Sequence, residues 1–146
     1  MIIKSEQEML NFGKEFASRI ISQNGPIVIE LIGDVGAGKT TFTRGLAKGL
    51  GIKEEITSPS FTVSKSYSFK TKEGEKTLTH YDFYRLPDPG LMVEDLSENL
   101  QNPKNITIVE WGESVKDLLP KGRYTIKIDY NESAGRELFF EEGKTL

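Results

Sequence analysis

The chain has 146 residues, 36% of them hydrophobic and 28% charged, with mean hydropathy -0.41. That is enough apolar material for one core, too little chain for a multi-domain enzyme, and too polar for a membrane span. A net charge of -3 argues against a protein whose main task is to neutralise nucleic-acid phosphates, and the absence of cysteine excludes disulfides and thiolate metal sites. With one histidine, a zinc fold is disfavoured. The N-terminus lacks a basic stretch followed by a long apolar one, so it reads as carrying no export signal. Seven of the 14 glycines (Gly25, Gly33, Gly36, Gly38, Gly45, Gly49 and Gly51) fall between residues 25 and 51, which makes that stretch the first place to look for ligand chemistry.

In chain order, Ser5 and Glu8 form a capping signature, and Met9, Phe12, Phe16 and Ile20 follow at helical spacing. This predicts an amphipathic helix that ends near Asn24-Gly25 and lays its apolar stripe on a sheet. Ile27 to Ile32 is a short, mostly apolar, β-branched run of the kind found in a strand covered on both faces. A glycine-rich turn follows, then a helix from Lys39 to Leu50 stopped by Gly49 and Gly51. Phe61 to Phe69 and Leu78 to Tyr84 predict antiparallel strands flanking a charged turn at Lys72-Glu73-Gly74-Glu75. Asp88-Pro89 predicts the start of a short helix over Leu91 to Leu100. Ile106 to Glu110 reads as a second buried strand, Ser114 to Leu119 as a short helix, and Tyr124 to Tyr130 and Glu137 to Phe140 as late strands. The alternation predicts one α/β domain over residues 1–146, with a mixed central sheet that includes an antiparallel hairpin.

Gly33-Asp34-Val35-Gly36-Ala37-Gly38-Lys39-Thr40 matches the phosphate-loop pattern, with a strand pattern before it and a helical one after it. Glycines let successive backbone amides face a phosphate, and the helix adds its positive N-terminal end. Lys39 can then reach the β- and γ-phosphates, and the Thr40 hydroxyl can ligate Mg²⁺. Such a site needs a further acid near the metal, and two candidates exist: Glu110, closing a buried strand, and Asp82, near the end of the second hairpin strand. Each also has a plain reading as a solvated strand-end acid. His80 reads as a structural hydrogen-bonding residue more readily than as a base, and Trp111 as either a core aromatic or one packed near the nucleotide. Thr57-Ser58-Pro59-Ser60-Phe61 stands where many such proteins carry a loop sensing the γ-phosphate, although these residues are also ordinary turn chemistry.

Neither Asn-Lys-x-Asp nor Asp-x-x-Gly occurs, which disfavours GTP. The five arginines (Arg19, Arg44, Arg85, Arg123 and Arg136) do not cluster into a kinase lid, and little chain remains for an acceptor site. The residues from Gly33 to Leu46, Thr57 to Phe61, His80 to Leu86 and Val109 to Trp111 together resemble the TsaE family of bacterial P-loop ATPases, in order and spacing over nearly the whole chain. The resemblance implies a cytoplasmic, Mg²⁺-dependent ATPase that works with TsaB and TsaD in placing a threonylcarbamoyl group on tRNA adenosine. On that view hydrolysis resets the complex for further turnovers and tRNA is met only indirectly. It further implies nucleotide binding by Gly33 to Thr41, with Lys39 on phosphate, Thr40 and Asp82 serving Mg²⁺, and Glu110 in the acidic Walker B-type role. Trp111 would lie near nucleotide or partner, and Thr57 and Ser58 would belong to a mobile loop. Arg85 is the best internal candidate for an arginine finger, although a solvated or salt-bridged arginine is the more ordinary reading of it. Residues 82 to 113 hold seven acidic and two basic side chains, a face suited either to a basic partner patch or to plain solvation. Two other readings stay open: a nucleotide-dependent assembly factor, and a small-molecule kinase.

Overall fold

A computed structural model describes residues 1–34, 38–57, 63–84, 90, 92–131 and 135–142. Seven strands form one mixed sheet in the order β1 (Ile2–Ile3), β7 (Gly135–Glu142), β6 (Tyr124–Asn131), β2 (Ile27–Ile32), β5 (Asn105–Glu110), β4 (Gly74–Asp82), β3 (Ser64–Thr71). The central ladder from β6 through β2 and β5 to β4 is parallel. The outer pairs, β1 with β7, β6 with β7 and β3 with β4, are antiparallel. As the apolar run predicted, β2 is buried from Ile27 to Leu31, and β5 is buried along its whole length. The mixed sheet and its hairpin are therefore as expected. The hairpin turn is tighter, however: Thr71 pairs with Gly74, so Lys72 and Glu73 alone connect the strands, with Gly74 at φ 111°.

Two helices, α1 (Glu6–Ile20) and α2 (Lys39–Leu50), cover one face of the sheet, and α3 (Met92–Gln101) covers the other. Ser5 caps α1 by accepting from the Glu8 N–H at 3.1 Å. The Glu8 carboxylate reaches back to the Lys4 N–H at 2.6 Å, one residue before the partner a capping box uses. The helix stops at Ile20, short of Asn24-Gly25. Gly51, at φ 86°, ends α2 in the left-handed conformation that terminates many helices.

The apolar stripe of α1 does not simply lie on the sheet. It packs side by side with α2, while Phe16 meets the rings of Phe42, Tyr124 and Phe140 at 5.9, 5.2 and 5.6 Å between centroids. Gly13, Gly45 and Gly49 make this approach possible. A Cβ on Gly13 would lie 2.5 Å from the Phe42 carbonyl oxygen, and one on Gly49 would lie 2.9 Å from that of Lys14. Gly45 abuts the Leu10 backbone. Two members of the glycine cluster, Gly45 and Gly49, therefore serve helix contact rather than ligand approach, and Gly49 is not a helix stop.

On the opposite face Tyr81, Phe83, Val109, Leu96 and Leu100 form a second apolar layer. Tyr81 donates its hydroxyl hydrogen to Asp95 at 2.5 Å and accepts from Asn99 at 2.6 Å, which ties α3 to the sheet. Burial, and then the bond to Asp95, pushes the Tyr81 phenol well above its ordinary range. The expected helix at Ser114 to Leu119 is a 3₁₀ segment, Gly112–Leu118. Asp88-Pro89 and Phe61 lie outside the described residues. No described helix is long and apolar enough to cross a membrane.

Candidate phosphate site

The site is assembled where β2, β4 and β5 end. Gly38, at φ 108°, starts α2 and offers no side-chain cap to the first-turn amides of the helix. Lys39 follows, only 6% exposed. Its ammonium donates to the Gly33 carbonyl at 2.6 Å, lies 3.6 Å from Glu110 Oε1, and sits 4.1 Å from the centroid of the Trp111 ring. A lysine buried to this degree needs such partners. The strand end before the loop and the helix start after it are thereby clamped to the last residue of β5.

Glu110 is itself buried, and its second oxygen, Oε2, is engaged by His80 Nε2 from the neighbouring strand. Parallel pairing sets Asp82 opposite Glu110, so the two carboxylates share one face of the sheet at adjacent strand ends. The Phe83 N–H binds the Glu110 carbonyl at 3.1 Å and the Tyr84 N–H binds Asp82 Oδ1 at 3.0 Å, which fixes the chain where it leaves β4. Trp111 takes a left-handed backbone, φ 55° and ψ 47°, rare for a bulky residue and costing on the order of 1–3 kcal/mol. That conformation turns its ring over Lys39, and the half-exposed Tyr84 packs on it at 4.7 Å.

Two recesses flank the Lys39 cluster. One, of about 300 Å³, is lined by Ser5, Glu6 and Met9 from the start of α1 and by Gly38 to Thr41. The other, of about 240 Å³, lies between the β2 end (Leu31 to Asp34) and Trp111 to Glu113, and Lys127 and Asp129 also line it. At its wall Glu30, buried, accepts from Arg123 Nε at 2.9 Å.

Of the residues expected from sequence, Gly33, Glu110 and Trp111 all meet Lys39. Thr40 and Thr41 line the first recess, Asp34 the second, and Asp82 lies beside Glu110 in register. Thr57 is exposed, and its hydroxyl is bound by Lys65 of β3. Val35, Gly36, Ala37, Ser58 and Arg85 lie outside the described residues. Tyr84 was visible only as part of the His80 to Leu86 motif, and its packing on Trp111, like the lining by Ser5, Glu6 and Met9, had no sequence signal because it depends on which elements become neighbours. His80 was visible as the lone histidine, but its partner was not.

The donors available are amides, an ammonium, a hydroxyl (Thr40) and two carboxylates. The oxygen donors are hard, as Mg²⁺ requires, and the imidazole beside them, His80, is fully buried with its Nε2 on Glu110. Among the described residues no group of three or more His, Asp or Glu side chains is arranged as a metal cage. Mg²⁺ at phosphate sites is in any case held by one or two protein oxygens together with phosphate.

A parallel core, a glycine-opened loop, a buried lysine at the following helix start and a carboxylate closing the adjacent strand define a P-loop fold. A family model described as threonylcarbamoyl adenosine biosynthesis protein TsaE matches residues 3–138. The tRNA threonylcarbamoyladenosine biosynthesis protein TsaE of Haemophilus influenzae is 35% identical over 134 residues, covering 90% of this chain and 82% of that protein. The Treponema pallidum protein of the same name is 34% identical over 137 residues, covering 94% and 96%. A crystal structure of Bacillus subtilis YdiB superposes with TM-score 0.73 at 30% identity, covering 99% of this chain and 84% of that one. The chain belongs to the TsaE family, whose role is in tRNA threonylcarbamoyladenosine biosynthesis.

Proposed function

We propose that this chain is a Mg²⁺-dependent ATPase, acting as one cytoplasmic domain with TsaB and TsaD, whose hydrolysis of ATP resets the modifying complex for further turnovers. The observation that carries the reading is the Lys39 cluster: one ammonium held between the loop-start carbonyl and the strand-end carboxylate Glu110. An incoming phosphate is a stronger partner for that ammonium than a carbonyl is. ATP would bind with its phosphates at the α2 start, Lys39 turning from Gly33 to the β- and γ-oxygens. Thr40 and Asp82 are suited to hold Mg²⁺, which when bound neutralises phosphate charge. Glu110, 3.6 Å from Lys39, is suited to orient and deprotonate the attacking water. Two recesses, of about 300 and 240 Å³, lie beside the loop as places for the nucleoside.

Trp111 is the only tryptophan and rests on the lysine that phosphate must recruit. Titration with Mg·ATP is expected to change its fluorescence saturably, and Lys39→Ala to remove the saturable change. Emission that stays flat through independently measured saturation would separate Trp111 from the phosphate site.

None of the described residues contributes an arginine to the Lys39 cluster, and a finger of that kind is worth roughly 10³-fold or more in rate. Slow turnover alone and faster turnover with TsaB and TsaD follow. Phosphate release should rise at least about tenfold when both partners are added to the isolated chain; equal rates would remove the gating role. A nucleotide-dependent assembly factor is the second reading, favoured by the self-satisfied state of Lys39, which nucleotide binding alone would open.

A further inference from the structure

His80 lies two residues from the end of β4, between β3 and β5, at 0% exposure, with Ile108 as its register partner on β5. A position so dry favours an aliphatic side chain, because burying an imidazole costs free energy that only a good hydrogen bond offsets. The single hydrogen bond found for the ring among the described residues is to Glu110 Oε2, and Nδ1 has no partner there. An unpartnered buried N–H costs more than an unpartnered lone pair, so the proton belongs on Nε2 and the imidazole donates to the carboxylate. Through Glu110 the ring joins the chain of contacts that runs to Lys39 and Gly33. Among the described residues its one polar contact is with the acid that closes the site.

The consequence for Glu110 is geometric. A glutamate has three side-chain torsions, and with one partner its carboxylate swings. Here Oε2 is fixed by His80 below and Oε1 is turned toward Lys39, 3.6 Å away. We infer that His80 is a positioning residue: by donating from Nε2 to Glu110 Oε2 it holds Oε1 toward the phosphate side, in the orientation that water activation needs. The inference rests on the ATPase reading above. A displacement of about 1 Å at a reacting group can cost on the order of 10²-fold in rate, so the expected effect falls on hydrolysis and not on binding.

The test compares His80→Gln, which keeps a donor at similar reach, with His80→Met, which keeps the length and loses the donor. Mg·ATP affinity, thermal stability and single-turnover hydrolysis are measured in the complex with TsaB and TsaD. His80→Met is expected to bind ATP within about twofold of the native chain and to hydrolyse it about 10- to 100-fold more slowly, with His80→Gln recovering most of the loss. Hydrolysis by His80→Met at the native rate, or equal loss in both variants, overturns the inference. His80→Leu makes the same comparison if the methionine variant does not fold. If the native complex itself hydrolyses no ATP, the ATPase reading fails; if it does and His80→Met matches it, only the role of His80 fails.

Discussion

Glu110→Gln is expected to bind Mg·ATP with nearly native affinity and to lose ATP turnover by about 10²-fold or more. Glutamine preserves the volume at a site that is 4% exposed, and its carbonyl oxygen can still accept from His80. It lacks the negative charge that balances Lys39 and the basicity that takes a proton from water. Lys39 keeps its bond to Gly33 and stays available to phosphate, so binding and turnover separate. The measurements are phosphate release at saturating ATP with TsaB and TsaD, and equilibrium binding. Turnover within a few-fold of the native chain would show that Glu110 plays no part in hydrolysis.

The second large effect lies far from any reacting atom. An exposed mid-helix Gly→Ala change gains about 1 kcal/mol from helix propensity. At Gly45 the same change should instead destabilise, by about 2 kcal/mol or more, because the new methyl would meet the Leu10 backbone, with its Cα 2.9 Å away. Backbone cannot yield as a flexible side-chain tip can, so α1 must move off α2. For a domain of this size that corresponds to a fall in melting temperature of roughly 4–8 °C. Because α2 begins with Lys39 and Thr40, the displacement also reaches the phosphate site, and ATP affinity should weaken with it. A melting temperature equal to or above that of the native chain would mean the two helices are not held at this distance.

Much of the site was legible because local signals coincide there. Gly33 to Thr40 needs a strand before it and a helix after it, and Ile27 to Ile32 and Lys39 to Leu50 carry those periods within one continuous stretch. Glu110 was visible as a carboxylate ending an apolar run. The pairing of β4 with β5, which sets Asp82 beside Glu110 and lets His80 reach it, joins residues about 30 positions apart and leaves no local trace. The glycines misled for a physical reason. A glycine that opens a loop to phosphate and one that lets two helices touch are the same letter, and only the position of Leu10 and Lys14 against Gly45 and Gly49 distinguishes them. β1, two residues long, is too short to show any period, and it exists because β7 offers an edge to pair with.

The role proposed for hydrolysis is most directly tested by counting modified tRNA molecules per complex when TsaB and TsaD are reconstituted with either the native chain or Glu110→Gln. The account predicts many modifications per complex with the native chain and about one with the variant, whose ATP stays bound and uncleaved. Sustained modification over many cycles by a variant shown to hydrolyse no ATP would contradict it.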